Sequence, residues 1–123
     1  MTWDVEFYGA FEPEFRDFPE DVRNELLAVA KLLQDYGPQL GRPHADTLKG
    51  SEFSNMKELR FEGADGEWRA AFAFDPRRKA IILVAGDKSG GSETRFYKKL
   101  ITKADRRFTD HLEHLAKAPK RGK

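Results

Sequence analysis

The chain has no cysteine, so disulfides, thiolate nucleophiles and thiolate zinc sites are excluded from the start. It also has no apolar run approaching the roughly 20 residues that span a bilayer. Its first residues, Met1-Thr2-Trp3-Asp4, lack the basic and apolar regions of a secretory leader. A soluble cytoplasmic protein with no membrane contact is the expectation. Histidine is scarce: His44 lies in a Gly/Pro-rich stretch, and His111 and His114 stand three apart with no third ligand at matching spacing. That argues against a metal centre or any other cofactor. Gly90-Gly91 lacks the surrounding pattern of a phosphate-binding loop, and no Gly-x-Ser-x-Gly or Walker motif occurs.

What is present is charge, unevenly placed. Residues 1–61 carry seven Lys/Arg against twelve Asp/Glu, and residues 62–123 carry fifteen against nine. A basic C-terminal half suits a polyanion, although solvated helix faces would give the same imbalance. The length of 123 residues fits one domain, read as 1–116, followed by a basic tail at 117–123 expected to be disordered.

Trp3, Val5 and Phe7 alternate with Asp4 and Glu6, which predicts a half-buried strand ending at Gly9. Phe11, Phe15 and Phe18 share a helix face over about residues 10–17. Pro19, followed by Glu20 and Asp21, announces a second helix whose stripe is Val22, Leu26, Val29/Ala30 and Leu33. Gly37-Pro38 stops it. Residues 37–54 read as a long loop. Three strands follow, at about 55–62, 67–75 and 79–87, with Gly63-Ala64-Asp65-Gly66 as a hairpin turn and Asp75-Pro76 opening the next turn. A final helix over about 93–116 buries Phe96, Leu100, Ala104, Phe108, Leu112 and Leu115. Its other side shows Arg95, Lys98, Lys99, Lys103, Arg106 and Arg107. The expected class is α+β: a small antiparallel sheet, made of the N-terminal strand and a three-stranded meander, packed against two N-terminal helices and a C-terminal helix.

The strands carry the candidate chemistry. Arg60 points away from the Leu59/Phe61 face, and Arg69 away from Trp68, Phe72 and Phe74, so both guanidiniums belong to one sheet face, off the core. Two such cations can hold a phosphate and stabilise charge building on it. Glu58 shares that face, and a plain ion pair with Arg60 is the bland reading. Lys88 follows the most apolar strand, where it can reach a phosphate or merely be solvated. Tyr97, beside that loop, either fills the core edge or has its phenol pKa lowered by the cations and joins proton transfer. Lys57 lies on the Leu59/Phe61 face and is a weaker RNA-binding candidate. Arg95, Lys98 and Lys99 could contact an RNA backbone, or an acidic partner.

The segments Lys57-Glu-Leu-Arg-Phe61, Gly66-x-Trp-Arg-x-x-Phe-x-Phe-Asp75 and Ile81-Ile-Leu-Val-Ala-Gly-Asp-Lys88, with Glu93-Thr-Arg-Phe-Tyr-Lys-Lys-Leu-Ile101 and Ala104-Asp-Arg-Arg-Phe108, resemble the phage-derived HigB-type toxins of the RelE/ParE superfamily. The resemblance covers most of residues 3–115 in element order. It implies a RelE-like fold and a metal-independent, ribosome-dependent mRNA endonuclease that arrests translation and growth. It also implies a helix-turn-helix antitoxin as partner, with operator DNA reached only through that antitoxin. Arg60, Arg69 and Lys88 match the family's strand-borne basic positions, with Tyr97 a looser match. The superfamily's gyrase-poisoning branch shares the fold without nuclease activity, so a gyrase-directed toxin or a nucleic-acid- or partner-binding regulator is the alternative.

Overall fold

A computed structural model describes residues 2–117. Along the chain run β1 (Asp4–Phe7), α1 (Phe11–Arg16), α2 (Glu20–Tyr36), a 3-10 turn (Gly37–Gln39), β2 (Ala45–Thr47), β3 (Lys57–Gly63), β4 (Gly66–Phe74), β5 (Lys79–Asp87) and α3 (Glu93–Lys117). The expected tail falls, apart from Lys117, outside the described residues.

The α+β class and the β3–β5 meander are as the sequence patterning implies. The sheet itself differs in two respects. It has five strands in the order β1-β5-β4-β3-β2, and β1 pairs with β5 in parallel, so the sheet is mixed rather than antiparallel. Alternation in Trp3–Phe7 reports burial of one face but carries no direction, and β1 finds its partner some 75 positions along the chain. The extra strand, β2, lies inside the stretch read as a loop and pairs antiparallel with β3, Asp46 opposite Glu58. Three residues are too few to show a period of two.

Both faces of the sheet are covered. On one, Leu59, Phe61, Trp68, Ala70, Phe72, Ala80 and Ile82 pack against Phe11 and the α2 stripe Val22, Leu26, Val29, Ala30 and Leu33. On the other, Ala71, Ala73, Ile81, Leu83 and Val84 meet Leu100, Ala104 and Phe108 of α3. Alanines on the α3 side let the helix lie close to the strands. The β3–β4 turn takes Ala64 and Asp65 through positive φ (50° and 59°), as a two-residue hairpin turn requires. The Ala64 N–H donates to Asp21 Oδ2 at 2.6 Å, tying that turn to the start of α2.

Between β4 and β5 the register shifts: Phe72 faces Ile82 but Ala71 faces Val84, which leaves Leu83 without a ladder partner. The Leu83 carbonyl instead accepts from Arg107 Nη1 at 2.8 Å. Arg107, expected on the exposed basic side of the last helix, is therefore buried. It forms a two-pronged pair with Glu14 of α1 and lies over the Tyr8 ring. A guanidinium is long enough to cross from α3 to a bulge carbonyl, and a helical wheel cannot register that.

Candidate active site

Arg60 on β3 and Arg69 on β4 are directly opposed cross-strand partners. Gly86 of β5 is the next residue on the same row. A Cβ at Gly86 would come within 3.1 Å of Phe96, so the bare glycine lets the first turns of α3 settle on β5. That approach carries Tyr97 over the row. Its hydroxyl donates to Glu58 Oε1 at 2.8 Å. The other Glu58 oxygen accepts from Arg60 Nε at 3.1 Å. Arg69 Nε stands 3.9 Å from Glu58 Oε1, fully buried and without a hydrogen-bond partner among the described residues. Lys88, just past β5, has its N–H bonded to the Glu67 carbonyl, and its Nζ lies 3.4 Å from Glu67 Oε1. The same carboxylate oxygen lies 3.5 Å from Arg69 Nη2. Arg60, Arg69, Lys88 and Tyr97 thus meet at one end of the sheet, linked by Glu58 and Glu67.

This site is not the open cationic face implied by strand parity. The side chain of Arg69 is only 12% exposed and that of Arg60 34%, because α3 covers their row. Each cation also faces acid. Arg60 shares Asp46 of β2 with Arg42 (3.3 and 2.9 Å), and Lys88 lies 3.9 Å from Glu93. The Arg60–Glu58 ion pair weighed from the sequence is present. Of the two readings of Tyr97, the lowered phenol pKa is opposed by its surroundings. Burial, then the hydrogen bond to Glu58 and its negative charge, push the phenol up to about 12, against the opposing pull of Arg69. Tyr97 stays neutral at physiological pH. Asp46 is held below the usual carboxylate range, first by the Thr47 N–H and then by Arg42. Asp46 and Glu67 are not among the residues that the sequence patterning singles out. Glu67 shares strand parity with Arg69 and was findable, whereas Asp46 depends on the unseen β2.

Other candidates lie elsewhere. Lys57 is on the opposite face, where its Nζ donates to the Pro38 carbonyl at 3.2 Å. Arg95, Lys98 and Lys99 are exposed on the side of α3 turned away from the sheet, with Thr102, Lys103 and Arg106 continuing that surface. His111 bonds the buried Asp75 at 2.8 Å, and His114 approaches Asp110. The two histidines therefore serve separate carboxylates. The exposed His44 gives its carbonyl to the Arg60 N–H at 2.8 Å. Among the described residues no helix is long and apolar enough to cross a membrane.

Comparison with known proteins agrees with this architecture. Residues 13–109 match the model of the phage-derived Gp49-like family. Two Mycobacterium tuberculosis proteins that carry the toxin names HigB2 and HigB3 are similar in sequence. HigB2 is 46% identical over 125 residues, covering 99% of this chain, and the chain spans 60% of that relative's length. HigB3 is 45% identical over 92 residues, covering 75% of this chain and 78% of the relative. Two solved structures share the fold at low identity. A double mutant of the E. coli toxin RelE in its free state superposes with TM-score 0.60 at 12% identity, covering 84% of this chain and 97% of that one. The archaeal RelE–RelB complex from Pyrococcus horikoshii gives TM-score 0.53 at 16% identity, covering 74% and 100%. The chain belongs to the Gp49-like family of phage-derived proteins, as a HigB-type member with the RelE fold.

Proposed function

We propose that this protein is the toxin of a toxin–antitoxin pair and cuts messenger RNA on the ribosome. The observation that carries the reading is the convergence of Arg60, Arg69, Lys88 and Tyr97 at one end of the sheet. The chemistry that suits them is attack by a ribose 2′-hydroxyl on its own 3′-phosphate. The 2′-oxygen bonds to phosphorus as its proton passes to water, the P–O5′ bond breaks, the leaving 5′-oxygen takes a proton from water, and a cyclic phosphate remains. Arg60, Arg69 and Lys88 would hold the non-bridging oxygens and offset the charge of the pentavalent phosphorus, a type of stabilisation worth about 10²–10³-fold per donor elsewhere. The end of Arg69 that can reach a phosphate is Nη2, 3.5 Å from the exposed Glu67 carboxylate, since its Nε is enclosed beside Glu58. A free enzyme with so few groups to move protons benefits from a surface that holds the substrate in line, which the ribosome provides. The exposed cations Arg95, Lys98 and Lys99 are proposed as contacts to RNA backbone, with Lys57 a lesser one. The named toxins among its relatives and the RelB-bound archaeal neighbour support an antitoxin partner, proposed to be of the helix-turn-helix type and to bring the toxin to operator DNA.

One observation favours the non-nucleolytic reading, a gyrase-directed toxin or a binding regulator: every cation of the cluster is approached by a carboxylate. Of these carboxylates Glu67 and Glu93 are exposed, so each can return to water when a competing anion takes its place. Induced expression of wild type, Arg69→Ala and Arg60→Ala, with growth followed and mRNA 5′ ends mapped, separates the readings. New cuts inside translated frames that disappear in both folded mutants are the expected result. Growth arrest with intact mRNA overturns the nuclease. Because Arg69 is buried beneath α3, its mutant needs a thermal melt beside the growth curve, while Arg60→Ala tests the site at a more exposed position.

A further inference from the structure

Among the described residues Glu58 is one of few buried charged side chains, 3% exposed beneath α3. A carboxylate taken out of water at such a position is costly unless both oxygens are matched. Here each oxygen has its own partner: Oε2 accepts from Arg60 Nε on the same strand, and Oε1 accepts from the Tyr97 hydroxyl across the helix–sheet boundary. Two groups from different elements are thereby fixed by one rigid acceptor. The bare Gly86 backbone that admits Phe96 makes the contact geometrically possible.

We propose that Glu58 is the positioning residue of the nuclease centre, holding the Arg60 guanidinium and the Tyr97 phenol in the orientation in which both face the RNA. This rests on the nuclease reading above and adds a division of labour to it. Arg60 gives its Nε hydrogen to Glu58 and one Nη2 hydrogen to Asp46, which leaves its remaining terminal N–H groups for the phosphate. Tyr97 gives its only hydroxyl hydrogen to Glu58, so its oxygen faces the RNA with lone pairs alone. Tyr97 therefore receives a hydrogen bond from the ribose and does not donate one to the leaving oxygen. A carboxylate in this place does what a neutral amide cannot: a glutamine has one acceptor oxygen for two donors.

The test compares wild type with Glu58→Gln, Tyr97→Phe and the double mutant, with fold checked by thermal melt. The first readout needs no RNA. With 13C-labelled tyrosine, the Tyr97 ring signal, assigned by its loss in Tyr97→Phe, should hold still up to about pH 11 in wild type, above the ordinary tyrosine range. In Glu58→Gln it should start to move about one pH unit lower. The second readout is cleavage on programmed ribosomes: Glu58→Gln should lower kcat roughly 100-fold, the scale of a misplaced catalytic group, with KM little changed. In the Tyr97→Phe background the same substitution should cost less, because part of its effect runs through Tyr97. A Tyr97 titration unmoved in Glu58→Gln, or cleavage by that mutant within twofold of wild type, overturns the role of Glu58 while leaving the nuclease standing. Wild type that fails to cleave overturns the nuclease and the positioning role together.

Discussion

Arg107→Ala separates structure from binding on the last helix. Read along the sequence, Arg106 and Arg107 are adjacent members of one basic surface. In the fold, Arg106 is exposed while the Arg107 side chain is 8% exposed and makes three hydrogen bonds, two to Glu14 and one to the Leu83 carbonyl left free by the bulge. Removing it strands a buried carbonyl, at about 1–3 kcal/mol. It also breaks a pair whose fully buried equivalents cost about 3–5 kcal/mol to break. Glu14 is about one-third exposed, so water recovers part of that second cost. A net loss of roughly 2–4 kcal/mol follows, or about 6–16 °C in Tm for a domain of this size. The pH dependence is signed. Arg107 is the main cause of the lowered Glu14 pKa. A depressed carboxylate contributes stability above its unfolded value of about 4.3, and that contribution fades as pH falls through the folded value. The gap between wild type and Arg107→Ala should accordingly narrow in acid. The assay is urea denaturation at pH 7 and again at about pH 3.5, with Arg106→Ala as the exposed control, expected within about 0.5 kcal/mol of wild type. Equal stability of the two mutants at pH 7 would refute the structural assignment of Arg107.

Glu67→Gln should release Lys88 and the outer edge of Arg69 from a shared carboxylate. Exposed pairs are worth about 0–1 kcal/mol each, so RNA affinity at low salt should rise roughly two- to tenfold; weaker binding in a filter assay would contradict that. Lys99→Ala with Arg106→Ala should leave the melting curve in place yet flatten the dependence of log affinity on log salt by about 1–2 for RNA or ribosome binding. An unchanged slope would remove this face of α3 from the interface.

The sequence was most legible where a residue's surroundings are local. Period-two alternation around Leu59 and Trp68, the unbroken apolar run at 80–84, and the 3.6 period of Val22–Leu33 and Leu100–Phe108 report burial that nearest neighbours along the chain enforce. Opposing Arg60 to Arg69 needed only parity and a short hairpin. The parallel pairing of β1, the edge strand β2, the bulge at Leu83 and the burial of Arg107 all depend on distant partners. For the same reason the site is more enclosed than strand parity implies. Parity placed Arg60 and Arg69 off one core, but the other side of the sheet carries a second core made with α3. The cations therefore sit at the margin of that second core, where Tyr97 and Glu58 become their neighbours.

That marginal position accounts for carboxylates standing where a phosphate is proposed to bind. An arginine row half-covered by a helix is desolvated before any ligand arrives, and unpaired guanidiniums there would weigh against folding. The acids divide by exposure. Glu58 is enclosed, and breaking a buried pair costs about 3–5 kcal/mol, so it should remain in place under the proposed RNA binding. Glu67 and Glu93 are more than half exposed, so either can turn into water if a phosphate takes its place beside the largely covered Arg69 and Lys88. RNA should therefore approach from the Glu67–Lys88 side, displacing the loose acids and meeting cations that the fixed acid already orients. In the proposed nuclease, the inner carboxylate would keep the site in shape while the outer ones kept it satisfied until RNA arrived.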